Sequence, residues 1–206
     1  QQISLDKKLI NFPKGRTLML ASTHENEEFQ FLSTIKRLLL QVDGLKIIIA
    51  PRHPERSKTI QSIYKKSGIS TKLMSDNAYA NGDVLIVNTF GNLPAYFNIS
   101  DIVFLGGSFV SKGGHNPIEP AINNCVIITG PHVYNWQNIY EDMLRNNACF
   151  VFNKISILEK KIKKLFEDNN EMNKMKENSK KVAQKNFFDS SELIYIIKNI
   201  LEVSPC

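Results

Sequence analysis

Short, unbroken apolar runs alternate with helically spaced segments along almost the whole chain, and this alternation narrows the possible folds more than any other feature. TLMLAS (17–22), LKIIIAP (45–51), TKLMS (71–75), DVLIVN (83–88), DIVFLGG (101–107), CVIITG (125–130) and ACFVFN (148–153) read as strands. Between them lie an amphipathic helix over 25–41, a helix from about Glu55 to Lys66 and a short one within 92–100. Another starts near Pro117, one covers 135–147, and two or three fill the remainder. A strand that faces solvent on one side alternates apolar and polar residues, whereas continuous apolar strands are buried on both faces. The expected fold is therefore α/β, a doubly wound, mainly parallel sheet of about six strands. There is no internal repeat and no low-complexity tract. Residues 1–16 read as a lead-in or linker, and 17–206 as one domain.

In such a sheet ligands bind beyond the carboxyl ends of the strands. The residues that follow the apolar runs are Ser22-Thr23-His24-Glu25, Pro51-Arg52-His53-Pro54-Glu55-Arg56, Asn88-Thr89-Phe90-Gly91-Asn92, Gly106 through Glu119, and Gly130-Pro131-His132. All four histidines fall in these loops, which points to one functional rim.

Four of the ten glycines lie between Gly106 and Gly114, directly before His115-Asn116-Pro117-Ile118-Glu119-Pro120. Asn116 suits a helix N-cap, Pro117 the first helical position, and Glu119 would complete a capping box. A capped helix alone leaves the glycines unexplained. Glycines allow tight turns and close backbone approach, and bare amides at a helix N-terminus form an anion site, so a phosphate site is expected here. Only five basic residues are arginines, and two of them, Arg52 and Arg56, sit in PRHPER. Their planar forks suit phosphate or carboxylate, with a surface Arg–Glu pair as the plainer reading.

Several classes are excluded. Walker A, Gly-x-Gly-x-x-Gly and Gly-x-Ser-x-Gly motifs are absent, and no Asp-x-Asp pair could hold a metal-bound diphosphate. Cys125, Cys149 and Cys206 are odd in number and widely spaced, which implies neither a disulfide framework nor a zinc site and fits a reducing cytoplasm. No run approaches the 18 or so apolar residues of a membrane span, and QQISLDKK lacks the layout of a signal peptide. The net charge is +6, and ten lysines against five acids between Lys154 and Lys185 supply most of it. That segment reads as a solvated helical face, with weak attraction to an anionic leaflet as the alternative. No aromatic residues interleave with the lysines to stack bases, which argues against nucleic acid.

STHENEE, PRHPER, GGSFVSKGGHNPIEPA and GPHVYNWQNI, in that order, resemble the C-terminal half of the bacterial Kdo (3-deoxy-D-manno-octulosonic acid) transferases, over roughly residues 17–200. The resemblance implies the Rossmann-like C-terminal domain of a GT-B glycosyltransferase. It implies transfer of Kdo from CMP-Kdo to the lipid A precursor at the cytoplasmic side of the inner membrane, with peripheral membrane contact and no metal or other cofactor. It further implies CMP contacts by Pro51, Arg52, Phe90, Gly91, Asn92, Asn116, Pro117, Ile118 and Glu119. The family shows Met-Gly-Glu where this chain has Phe90-Gly91-Asn92, so side-chain contacts there would differ while the Gly91 backbone is kept. The family's general base, a glutamate, belongs to an N-terminal domain outside residues 1–206, and the chain alone is expected to be inactive. A UDP-sugar transferase or epimerase domain and a non-catalytic nucleotide-binding module are the competing readings.

Overall fold

The computed structural model describes residues 16–76, 84–91 and 93–202, with side chains through residue 186. The described residues form a seven-stranded sheet, one strand from each of the apolar runs, and every pairing is parallel. In chain order the elements are β1 (Thr17–Thr23), α1 (Glu27–Gln41), β2 (Lys46–Pro51), α2 (Ser57–Lys66), β3 (Thr71–Leu73), β4 (Val84–Ile86) and α3 (Leu93–Phe97). They continue with β5 (Ile102–Leu105), α4 (Ile118–Ile122), β6 (Val126–Thr129), α5 (Gln137–Arg145), β7 (Cys149–Val151), α6 (Ile155–Glu167) and α7 (Asn169–Glu202). Residues 1–15 of the expected 1–16 lead-in, and Cys206, lie outside the described residues.

The apolar runs are strands because both faces of each are covered. In β1, Leu18 and Leu20 belong to a core shared with Phe31 and Ile35 of α1 and Leu158 and Ile162 of α6. Met19 and Ala21, pointing the other way as a pleat requires, join a second core with Tyr96, Tyr140 and Val182. Cys125 and Cys149 are buried free thiols, and burial pushes both up to about 12, so they behave as small apolar side chains.

The strand order is β3-β4-β2-β1-β5-β6-β7. After β1 the chain builds one half of the sheet, and from β5 onward it builds the other. β1 pairs with β2 on one side and β5 on the other, so the topological switch lies between β1 and β5. There the helical connections leave to opposite faces and open a crevice. At the other end of the sheet, Lys176 of α7 pairs with Asp101 at 2.6 Å, and Asp101 accepts the Thr17 N–H at 3.1 Å, which ties the long last helix to the amino ends of β1 and β5. Much of the lysine-rich segment is engaged in this way. Lys161 and Lys164 converge on Glu171 at 2.5 and 3.2 Å, and Lys163 lies 3.9 Å from Glu167.

Candidate functional site

The rim at the β1/β5 switch is assembled by two glutamates near the start of α1. β1 ends in a β-bulge between Ala21 and Thr23, with Ser22 at φ 54. A bulge re-aims the residues that follow it, and here Thr23 turns its hydroxyl to Glu28 while His24 meets His115. Glu27 is fully buried. One carboxylate oxygen accepts the N–H groups of Ser108 and Phe109, each at 3.0 Å; the other accepts those of Gly107 at 2.8 Å and His24 at 2.9 Å. Four amides on one carboxylate form an anion nest filled by the protein itself.

This corrects one expectation. The amides after the first glycine pair do not wait for a phosphate, because Glu27 occupies them. Gly106 has a packing role: a Cβ there would come within 2.5 Å of the Ser22 carbonyl, so only glycine lets β5 leave the sheet so close to β1. Beyond the nest the loop returns on itself, with the Gly114 N–H on the Gly107 carbonyl at 3.0 Å. Gly113 sits at φ 82 against the side chain of Asn135, where a Cβ would collide. Among the described residues the N–H groups of Gly113, His115 and Asn116 make no hydrogen bond. These, and not the first pair, are the amides open to a ligand.

The capping box forms by half. The Asn116 side-chain oxygen accepts the Ile118 N–H at 2.9 Å, and Pro117 is already helical at φ −84. Glu119 does not return the bond; its carboxylate accepts none from the described residues. It is exposed to solvent, yet partial desolvation by the loop raises its carboxyl above the usual range. α4 is five residues long, too short for much macrodipole, so what this loop offers an anion is its free amides rather than a helix dipole, and the capping box is only half present.

The two arginines of PRHPER separate. Arg56 forms a bidentate pair with Glu28 at 2.9 and 2.8 Å, and Glu28 also accepts the Thr23 hydroxyl at 2.6 Å. The Glu28 side chain is 3% exposed, so Arg56 is committed to the fold. Arg52 is exposed and makes no ion pair among the described residues. Its backbone N–H is held by the Thr23 carbonyl at 2.9 Å, which presents the free guanidinium beside the crevice.

Three of the four histidines do converge. His24 and His115 meet Nε2 to Nε2 at 3.2 Å with rings 11° from parallel, and His53 stands edge-on to His24 at 6.2 Å. His132 joins the frame differently, through its backbone N–H to the Ser108 carbonyl at 3.0 Å. Burial, with His24 and Arg52 nearby, pushes His115 down to about 4. His24 is lowered by burial, against the pull of Glu27. Among the described residues no group of three or more His, Cys, Asp or Glu side chains is placed to hold a metal ion.

Comparison with known proteins fits this geometry. No protein-family model matches the chain. It is 33% identical over 205 residues to the 3-deoxy-D-manno-octulosonic acid transferase of Rickettsia typhi, and 35% identical over 208 residues to that of Rickettsia prowazekii. Each match covers 97% of this chain and 44% of the relative, so the chain spans less than half the length of these curated relatives. The crystal structure of the C-terminal CMP-Kdo binding domain of WaaA from Acinetobacter baumannii superposes with a TM-score of 0.79 and 26% identity, over 84% of this chain and 91% of that one. The chain is a homologue of the C-terminal part of the Kdo transferases. A domain of a UDP-glucose-complexed protein from Anabaena, 12% identical with a TM-score of 0.66, shares the fold.

Mapped onto this Kdo-transferase homologue, Pro51 is buried as the last residue of β2 and aims Arg52 outward. Phe90 is 77% exposed, and Gly91 follows at φ 97 with open space where a Cβ would be. Asn92 lies outside the described residues. Pro117 is buried and Ile118 packs against the core, leaving Glu119 to face outward. These residues follow the carboxyl ends of β2, β4 and β5 and lie along one rim. Sequence reasoning overlooked Glu27 and Glu28, which looked like the ordinary acidic first turn of an amphipathic helix.

Proposed function

We propose that this chain is the donor-binding part of a glycosyltransferase that moves Kdo from CMP-Kdo to the lipid A precursor in lipopolysaccharide biosynthesis. The observation that carries the reading is the match over most of its length to a domain described as CMP-Kdo binding, together with identity above 30% to Kdo transferases.

The rim supplies what such a donor needs. Arg52 offers an uncommitted planar fork to the phosphate. The free amides of Gly113, His115 and Asn116 border the same loop. Glu119, outward-facing and without a hydrogen bond of its own, offers two oxygens to the ribose hydroxyls. Phe90 and Gly91 give the base a flat apolar side chain and an open backbone. In this scheme the phosphate charge is met by Arg52 and backbone amides, without a metal or other cofactor.

As the resemblance implies, we assign acceptor binding and the general base to an N-terminal domain; the curated relatives are more than twice the length matched here. Transfer then takes place between the two domains at the cytoplasmic side of the inner membrane, through peripheral contact. No described helix is long and apolar enough to cross a membrane. Residues 1–206 alone are expected to bind the nucleotide weakly and to transfer nothing.

A nucleotide panel tests the reading by calorimetry. CMP should bind and UDP and UDP-sugars should not. Preference for a uridine diphosphate would establish the UDP-sugar alternative. Absence of all nucleotide binding, even with the N-terminal domain supplied, would favour a non-catalytic module.

A further inference from the structure

The nucleotide contacts proposed above leave the histidine cluster unused. His24 and His115 are 91 residues apart in sequence, yet they meet ring to ring in the switch crevice. The two Nε2 atoms share one hydrogen, which either ring can supply according to its tautomer. The second ring nitrogen of His24 has no hydrogen-bond partner among the described residues. It is a half-buried polar atom beside the open rim.

The surroundings are cationic. A Cβ on Gly107 would meet His24 at 3.2 Å, the Lys112 Cβ at 3.3 Å and His115 at 3.4 Å, and the Lys112 charge acts on His24. Arg52 and His53 reach it from the loop after β2, close enough to act electrostatically on His24. The carboxylate that pulls on His24, that of Glu27, is spent on four amides; Glu55 lies 3.6 Å from His53, and Glu25 is exposed. The cup therefore carries the charges of Arg52 and Lys112 and a spare imidazole nitrogen.

A nucleotide-activated ulosonic acid carries two anions on one carbon, the phosphate ester and the sugar's own carboxylate. If Arg52 takes the first, the second must lie within a few ångströms of it. We propose that His24 and His115, flanked by Arg52 and Lys112, form a separate subsite for the carboxylate of the donor sugar. This inference rests on the donor reading and extends it to residues that reading leaves out.

The subsite carries a proton requirement. In the free protein, burial and the neighbouring Arg52, His53 and Lys112 hold His24 below its ordinary value, against the opposing pull of Glu27. An arriving carboxylate favours the charged ring. In the tautomer in which His24 donates Nε2–H to His115, its second nitrogen can take a proton and the ring pair survives. Binding of the sugar acid is thus coupled to proton uptake and strengthens as pH falls, by up to about tenfold per pH unit in the fully coupled limit.

The test uses the chain with its imidazole nitrogens labelled with ¹⁵N and three probes: CMP, free Kdo, and the methyl ester of Kdo. Kdo should shift the His24 nitrogens toward the imidazolium pattern and bind several-fold more tightly at pH 6 than at pH 7.5. The methyl ester should do neither. His24→Gln, which keeps a neutral donor facing His115, should bind Kdo with no dependence on pH, its fold verified by the amide spectrum. Equal binding of Kdo and its ester, a His24 that stays neutral with Kdo bound, or an unchanged pH profile in His24→Gln would each overturn the subsite. CMP binding without any Kdo binding would overturn the subsite alone, and failure of both ligands would overturn the donor reading with it.

Discussion

Replacing Glu27 by glutamine changes almost no volume and removes one acceptor atom. In the wild type each carboxylate oxygen accepts two amides, Ser108 and Phe109 on one, Gly107 and His24 on the other. The glutamine oxygen can keep one pair, but its NH₂ group must then face the other pair, donor against donor. A buried donor left unsatisfied costs about 1–3 kcal/mol, and the retained bonds lose their charge assistance. Glu27→Gln should therefore destabilise the fold by about 3–5 kcal/mol, a large share of the 5–15 kcal/mol typical of a domain. Urea melts measure the loss. Native-state hydrogen exchange should place it first at the amides of Gly107, Ser108 and Phe109. In Glu27→Ala, formate should recover part of the stability by entering the emptied nest. A Gln variant within about 0.5 kcal/mol of wild type, the range of an ordinary surface change, would refute the nest as the organiser of the rim.

The arginines should behave oppositely. Arg56→Ala strands the nearly buried Glu28 and should lower stability in urea melts by about 3–5 kcal/mol; Arg52→Ala should leave the melt almost unchanged. Arg52→Ala should instead weaken CMP by about 10- to 100-fold, for a lost charge-assisted bond of roughly 1.5–3 kcal/mol, while sparing cytidine; equal loss for both ligands in calorimetry would deny it the phosphate. Because Glu119 returns no capping bond, Glu119→Ala should stay within about 0.5 kcal/mol of wild type in stability and still lose roughly tenfold in CMP affinity, about 1.4 kcal/mol, a loss absent for 2′,3′-dideoxy-CMP.

Burial on both faces is what made the sheet readable. Leu18 and Met19 feed different cores, so β1 appears in sequence as an unbroken apolar run, and its neighbours do the same. The rim was readable as a place, because loops after parallel strands must gather at one edge. Its internal wiring was not. Asn116-Pro117 marks where a helix begins, but nothing local gives its length, and α4 stops where Asn124 turns left-handed at φ 64 to enter β6. Glu27 and Glu28 look solvent-facing to any local rule; their partners, Gly107 to Phe109 and Arg56, lie about 80 and 28 residues away. Gly107 and Ser108 offered the available hint, since an amide-rich turn must find an acceptor, but a ligand and a distant carboxylate satisfy that need equally well. The His24–His115 pair depends on a 91-residue separation that the β1/β5 pairing alone brings together.

Mapping CMP onto the ¹⁵N-labelled chain tests most directly whether this rim is the donor nucleotide site. Saturable shifts should centre on the amides of Arg52, Gly91, Asn116, Ile118 and Glu119, and Arg52→Ala should abolish them at the same CMP concentration. Shifts centred elsewhere, such as the face formed by β7 and α7, or a pattern that Arg52→Ala leaves intact, would contradict the account.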